Sequence, residues 1–111
     1  MKQINSLVIE GTIVQKSELT TLASGTDFCQ FVLRNEISEK SLAGENDKAV
    51  YEFEVFAYGF IAKSISKKRL GTELRIVGIL KQVKTEMDCH KVIIVADHID
   101  YRPLPSKNQD I

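Results

Sequence analysis

From Phe28 to Asn35 the chain alternates between two kinds of position. Cys29, Phe31 and Leu33 are wholly apolar, whereas Phe28, Gln30, Val32 and Arg34 mix aromatic, amide and guanidinium groups. Successive strand side chains point to opposite faces, so the first set predicts a core face and the second a sheet surface open to water or a ligand. The Ser24-Gly25 turn marks where this strand starts. Leu7 to Val14 predicts an earlier strand, rich in β-branched residues. Within it Gly11 marks a bulge or sharp bend, of the kind that lets one strand serve two sheets. Lys16 to Ala23 is a polar, threonine-rich connection. Val50 to Gly59 alternates again, with Tyr51, Phe53, Val55 and Ala57 on a predicted core face and Glu52, Glu54, Phe56 and Tyr58 on the other. Glu73 to Leu80 and Lys91 to Ile99 predict the fourth and fifth strands, with Gly78 repeating the bend of Gly11 and residues 81–90 joining them as a hairpin arm or loop.

Two stretches break the alternation. Phe60 to Leu70 places Ile61, Ile65 and Arg69 along one helical stripe and predicts a short helix ending at Gly71, with Lys67, Lys68 and Arg69 in its last turn. Ile37 to Lys48 has low hydrophobicity and reads as a long, mobile loop between the second and third strands. The expected domain covers residues 1–103, followed by a short flexible tail over 104–111. An all-β chain of five strands, glycine bends in the first and fourth, and a short helix between strands three and four has the order of an OB-fold barrel. That fold uses its second and third strands and its loops to hold single-stranded nucleic acid.

Length and charge narrow this only slightly. The 111 residues suit one domain with a modest core. Fifteen basic and fifteen acidic residues cancel, so total charge points to no partner and the placement of charges must decide. The N-terminus enters a strand without a charged-then-apolar leader, and no apolar run approaches the roughly 20 residues of a membrane span, so no membrane role and a cytoplasmic, nucleoid-associated protein are expected. Cys29 on an apolar face and Cys89 in a polar loop read as a buried thiol and an incidental one, not a disulfide framework. The two cysteines and two histidines, at 29, 89, 90 and 98, lack zinc-ligand spacing, and no glycine-rich phosphate loop links a strand to a helix. His98 is expected to form a surface pair with its neighbour Asp97. Hence no metal, cofactor, small-molecule substrate or catalytic residue is expected.

Particular residues carry a family resemblance. Asn5-Ser6-Leu7-Val8 with Gly11-Thr12, then Ser24-Gly25 and Cys29-Gln30-Phe31-Val32-Leu33, resemble the bacterial single-stranded-DNA-binding proteins. Within that family the nearest likeness is to the replication-restart branch, primosomal replication protein N. Tyr51 to Gly59, the Gly71 and Gly78 spacing, and Lys91 through Ile99 extend the likeness over residues 4 to 100. The resemblance implies an OB-fold homodimer that binds single-stranded DNA without strong sequence preference and recruits primosome proteins, namely the restart helicase and its loader. The general branch is usually tetrameric and ends in an acidic tail, whereas Ser106 to Ile111 carries one acid. The tryptophan positions of that branch fall near Glu52 and Thr85 of this chain, which has no tryptophan, and its third stacking ring aligns with Tyr58. Lysines of the primosomal branch align with Lys84 and Lys91. Other basic positions of that branch fall on Thr20, Glu36 and Glu86, and its stacking ring at Val50 or Tyr51.

Single strands are held by cations along the backbone and by rings under bases. The candidate DNA contacts are therefore Tyr58, Phe56 and Phe28 as stacking rings, with Arg34, Lys81, Lys84 and Lys91 for phosphates. The competing explanation for the rings is a dimer interface or cover by a loop, and for the lysines a solvated surface. Glu52 and Glu54 share the predicted outer face and should repel phosphates, which directs the path toward Tyr58 and the 81–90 arm. Lys63, Lys67, Lys68 and Arg69 form the densest basic run, which a helix C-terminus explains without DNA. Two further readings remain open: a general single-stranded-DNA-binding protein lacking the acidic tail, and an OB-fold protein-interaction module with weak DNA binding.

Overall fold

The computed structural model describes residues 2–40, 44 and 46–102. Their elements are β1 (Leu7–Lys16), β2 (Thr20–Thr21), β3 (Asp27–Lys40), β4 (Asn46–Tyr58), α1 (Phe60–Ser66), β5 (Glu73–Lys84) and β6 (His90–Tyr101). The strands run β1-β5-β6-β4-β3, and a further β1–β3 pairing closes them into a five-stranded barrel. β2 is a two-residue addition on β3, opposite Asp27 and Phe28. All pairings are antiparallel except a short parallel contact that sets Val55 beside Ile94 and Phe56 beside Val95. Counting barrel strands alone, α1 follows the third, as expected of an OB barrel.

Closure depends on β1 serving two partners. Leu7 to Thr12 pair with β5, and Thr12 to Lys16 pair with β3. The change of partner occurs beside Gly11, where an added Cβ would lie 2.3 Å from the Arg34 carbonyl oxygen. The bulge itself falls later, between Ile13 and Gln15. Gly78 meets the same constraint against the Val95 carbonyl at 2.2 Å, and there the register shifts between Val77 and Gly78.

Inside the barrel, Ile13, Cys29, Phe31, Leu33, Val55, Ala57, Leu74, Ile76, Ile94 and Ala96 form one core, onto which α1 lays Ala62 and Ile65. The helix is shorter than its sequence stripe predicts. It ends at Ser66, leaving only Lys63 as a cation in its last turn. The ammonium of Lys16 donates to the Ser66 carbonyl at 2.9 Å and also to that of Lys68, so a distant lysine holds the carbonyls that another helical turn would have used. Gly71, at φ 92°, then returns the chain to β1 by donating its N–H to the Ile13 carbonyl at 2.7 Å.

Three further expectations are corrected. The segment 37–48 is not a loop where it is described: β3 and β4 continue as a paired arm out to Lys40 opposite Asn46. Ladder hydrogen bonds and cross-strand pairs, such as Lys48 with Glu36 at 3.2 Å, sustain a strand that needs no apolar face because water covers it. Tyr51 and Phe53 do not enter the core; they lie on this arm, 39% and 37% exposed, with ring centroids 6.3 Å apart. His98 pairs with Asp100 at 3.0 Å rather than with Asp97, since residues two apart share a strand face. The β5–β6 arm is a hairpin whose ladder reaches Lys84 opposite His90. The tail boundary at 103/104 lies outside the described residues. No helix among them is long and apolar enough to cross a membrane.

Two outcomes follow. Gly78→Ala drives a methyl group into the β6 backbone and should cost about 1–3 kcal/mol, read as a lower urea midpoint at unchanged m-value. On the β3–β4 arm, the Tyr51 hydroxyl donates to Glu39, and this bond, followed by burial and the charge of Glu39, raises the phenol pKa above its ordinary 10.0. The bond supports the arm while the phenol keeps its proton and is lost as pH rises through the raised folded pKa. Glu39→Ala should bring tyrosinate absorbance to lower pH; an unchanged titration would contradict the contact.

Candidate functional site

The β3–β4 register converts alternation into a surface. Phe28 stands opposite Tyr58, Gln30 opposite Phe56, Val32 opposite Glu54 and Arg34 opposite Glu52. Their neighbours Cys29, Phe31, Leu33, Val55 and Ala57 are buried, so these four pairs line the outside of the barrel. At about 3.4 Å per residue the face from Phe28 to Arg34 runs roughly 20 Å.

One end of this face is aromatic. The Phe28 ring lies 5.2 Å from Phe56 in an edge-to-face arrangement at 88°, and 5.2 Å from Tyr58 at a 49° tilt. Such spacings and angles are favourable for ring pairs. All three rings are half-buried, packed against one another and still open to solvent. The three aromatic residues singled out in the sequence thus form one cluster.

The other end is charged but internally balanced. Arg34 donates from Nη2 and Nε to Glu52 Oε2 at 2.9 and 3.2 Å. Lys91 reaches over from β6 to Glu54 Oε2 at 2.7 Å, while the Gln30 amide donates to Glu54 Oε1. The expected repulsive carboxylates are therefore neutralised by the very cations expected to hold phosphates. Both pairs are solvent-exposed to a degree that makes them weak, about 0–1 kcal/mol each, so an anionic ligand can exchange for the carboxylate at small cost. Across the face lies a groove of about 560 Å³ lined by residues including Gln15, Ser17, Gln30, Val32, Glu52 and Glu54. A second cleft of about 550 Å³ opens where β1 turns away from β3, between Glu10, Thr12, Arg34 and Arg102.

The lysines of the β5–β6 arm do not act as a single patch. Lys91 stands opposite Val83 and Lys81 opposite Ile93, on the side of the ladder that carries Val95 next to Phe56. Lys84 stands opposite His90, on the reverse side, and pairs with Asp88 in the turn at 2.9 Å. Lys81 has no ion-pair partner among the described residues. The basic run that begins in the helix is partly engaged with its own chain: Lys63 of α1 lies 3.5 Å from Asp27, and Lys68 just beyond the helix sits 4.2 Å above the Tyr101 ring. A different outer face, over β1, β5 and β6, carries Glu10 opposite Arg75 and Arg75 opposite Asp100, with Arg75 bound to Glu10 at 2.9 Å.

Sequence reasoning missed two features. Gln30 and Glu54 act together as a hydrogen-bonded bridge to Lys91, which depends on the β4–β6 contact and has no local signature. Phe60 is 87% exposed directly after Gly59, whose φ of 65° breaks the strand alternation. A glycine between a strand and an aromatic residue was the available signal.

A family model described as another single-strand binding protein family matches residues 5–96. No curated protein matches the sequence. Among solved structures, a deletion mutant of the single-stranded DNA binding protein from Thermus aquaticus superposes with a TM-score of 0.80 at 17% identity, over 90% of this chain and 51% of that one. This chain thus spans about half the length of the Thermus protein. A single-strand binding protein from Plasmodium falciparum in complex with single-stranded DNA gives 0.79 at 16% identity, covering 93% of this chain and 98% of that one. PriB from Ralstonia solanacearum gives 0.69 at 17% identity, covering 91% and 100%. At such identities these likenesses speak for the fold, while the family match extends over most of the sequence. The chain belongs to this family of single-strand binding proteins.

Proposed function

We propose that the protein binds single-stranded DNA along the outer face of β3 and β4, without strong sequence preference. The observation that carries this reading is the Phe28–Phe56–Tyr58 cluster at one end of a face whose other end holds exchangeable cations. Bases stack on the three rings, a contact indifferent to base identity because every base has a π-face. Phosphates displace Glu52 from Arg34 and Glu54 from Lys91, and Lys81 continues the track onto the β5–β6 arm. Lys84 is reached only where the strand turns over the edge of that arm. The solved complex of the Plasmodium falciparum relative with single-stranded DNA supports the reading.

The finer role is replication or replication restart in the cytoplasm, as a homodimer that scaffolds primosome proteins such as the restart helicase and its loader. The similarity to Ralstonia PriB over that protein's whole length supports it. A homodimer has a natural seat on β1, whose first half pairs with β5 on one edge only and leaves Val8 65% exposed. A second reading, a protein-interaction module with weak DNA binding, draws on the apolar arm side chains Val50, Tyr51 and Phe53 and on the internal neutralisation of Arg34 and Lys91.

Fluorescence anisotropy of a labelled oligo-dT of about 30 nucleotides, long enough for two OB domains, separates the two. The DNA reading expects affinity that falls linearly in log–log plots as salt rises, and Tyr58→Ala should raise Kd about fivefold to a hundredfold, the range of one lost stack. No binding at low salt would leave the interaction module. Glu52→Gln/Glu54→Gln should bind more tightly than wild type. Its salt slope should stay close to that of wild type, because the same cations neutralise the same phosphates in both. Unchanged or weaker binding would show that these carboxylates do not compete with phosphates.

A further inference from the structure

The first residue of α1 serves no packing purpose in the fold. The helix buries Ala62 and Ile65 and half-buries Ile61, yet Phe60 presents 87% of its surface to solvent. The turn at Gly59 puts it just past Tyr58, and the Gly59 N–H donates to the Asp27 carbonyl at 2.9 Å, tying this corner to the residue before Phe28. Lys63 completes the arrangement. Its ammonium lies 5.8 Å from the Phe60 ring centroid and 3.5 Å from the Asp27 carboxylate. A ring with a cation beside it therefore follows directly on the aromatic cluster, with the ring unstacked and the Lys63 ammonium exposed, while its partner Asp27 is half-buried and also accepts from the Thr21 hydroxyl.

From this we infer that Phe60 and Lys63 form a further nucleotide station, at which one more base of the same DNA strand stacks on Phe60 while its phosphate takes Lys63 from Asp27. The inference rests on the reading of the β3–β4 face as a single-strand track. Continuity with the ring cluster, and a cation at the exposed ring, favour a nucleotide over a peptide segment as occupant. The track then leaves the sheet over α1, so the number of nucleotides held exceeds what the sheet alone can contact.

The chain contains no tryptophan, so Phe60→Trp supplies a single fluorescent reporter at the station. Titration with oligo-dT should quench its emission in parallel with the anisotropy of the labelled oligonucleotide. Phe60→Ala, at an exposed position that leaves the core intact, should weaken binding about five- to tenfold on a long oligo-dT. It should leave binding unchanged on one too short to pass Tyr58, whereas Tyr58→Ala weakens both. Undisturbed emission while anisotropy reports binding, together with wild-type affinity of Phe60→Ala, would overturn the station and leave the β3–β4 track intact. Failure of the wild type to bind any oligonucleotide would overturn both.

Discussion

At two points the backbones of this barrel approach so closely that a β-carbon would lie within 2.3 Å of a facing carbonyl oxygen. Gly11 lets β1 leave β5 and join β3, and Gly78 lets β5 curl against β6. Without those approaches the sheet could not close, and an open sheet would leave one face of β3 and β4 without a core to pack on. Closure buries Cys29, Phe31, Leu33, Val55 and Ala57. By the two-residue period of a strand it also commits Phe28, Gln30, Arg34, Phe56 and Tyr58 to the outside. The chemistry of the surface is thus a consequence of the geometry of the interior.

That surface combines a hard and a soft component. The rings are fixed by mutual packing at 5.2 Å. The charges are held by exposed ion pairs that contribute little stability and are readily exchanged. A chain with zero net charge can in this way keep a quiet surface in the absence of ligand and expose cations locally when a polyanion displaces the carboxylates.

Much of this was legible because it depends on local period. The buried set Cys29, Phe31, Leu33, Val55 and Ala57, the outward rings Phe28, Phe56 and Tyr58, and the glycine bends all follow from alternation and from strands adjacent in the chain, whereas Tyr51 and Phe53 alternate in the same way and yet stay outside the core. What escaped depends on long-range register or on the absence of a core. The Lys91–Glu54 pair relies on a parallel contact of only two residue pairs between β4 and β6. The opposite facing of Lys84 and Lys91 is set by the length of the turn between them, which decides register one residue at a time. Residues 37–48 read as a loop because low hydrophobicity signals an unburied segment, and the outer part of a solvated hairpin has no face to bury. Phe60 drew no attention because a helix start is expected to pack.

The most direct measurement is a map of amide and side-chain NMR shifts during titration with oligo-dT. The account predicts that the largest changes gather at Phe28, Gln30, Arg34, Glu52, Phe56, Tyr58 and Lys91, while Glu10, Arg75 and Asp100 on the β1–β5–β6 face stay still. Changes centred on that second face, with the aromatic cluster silent, would contradict it.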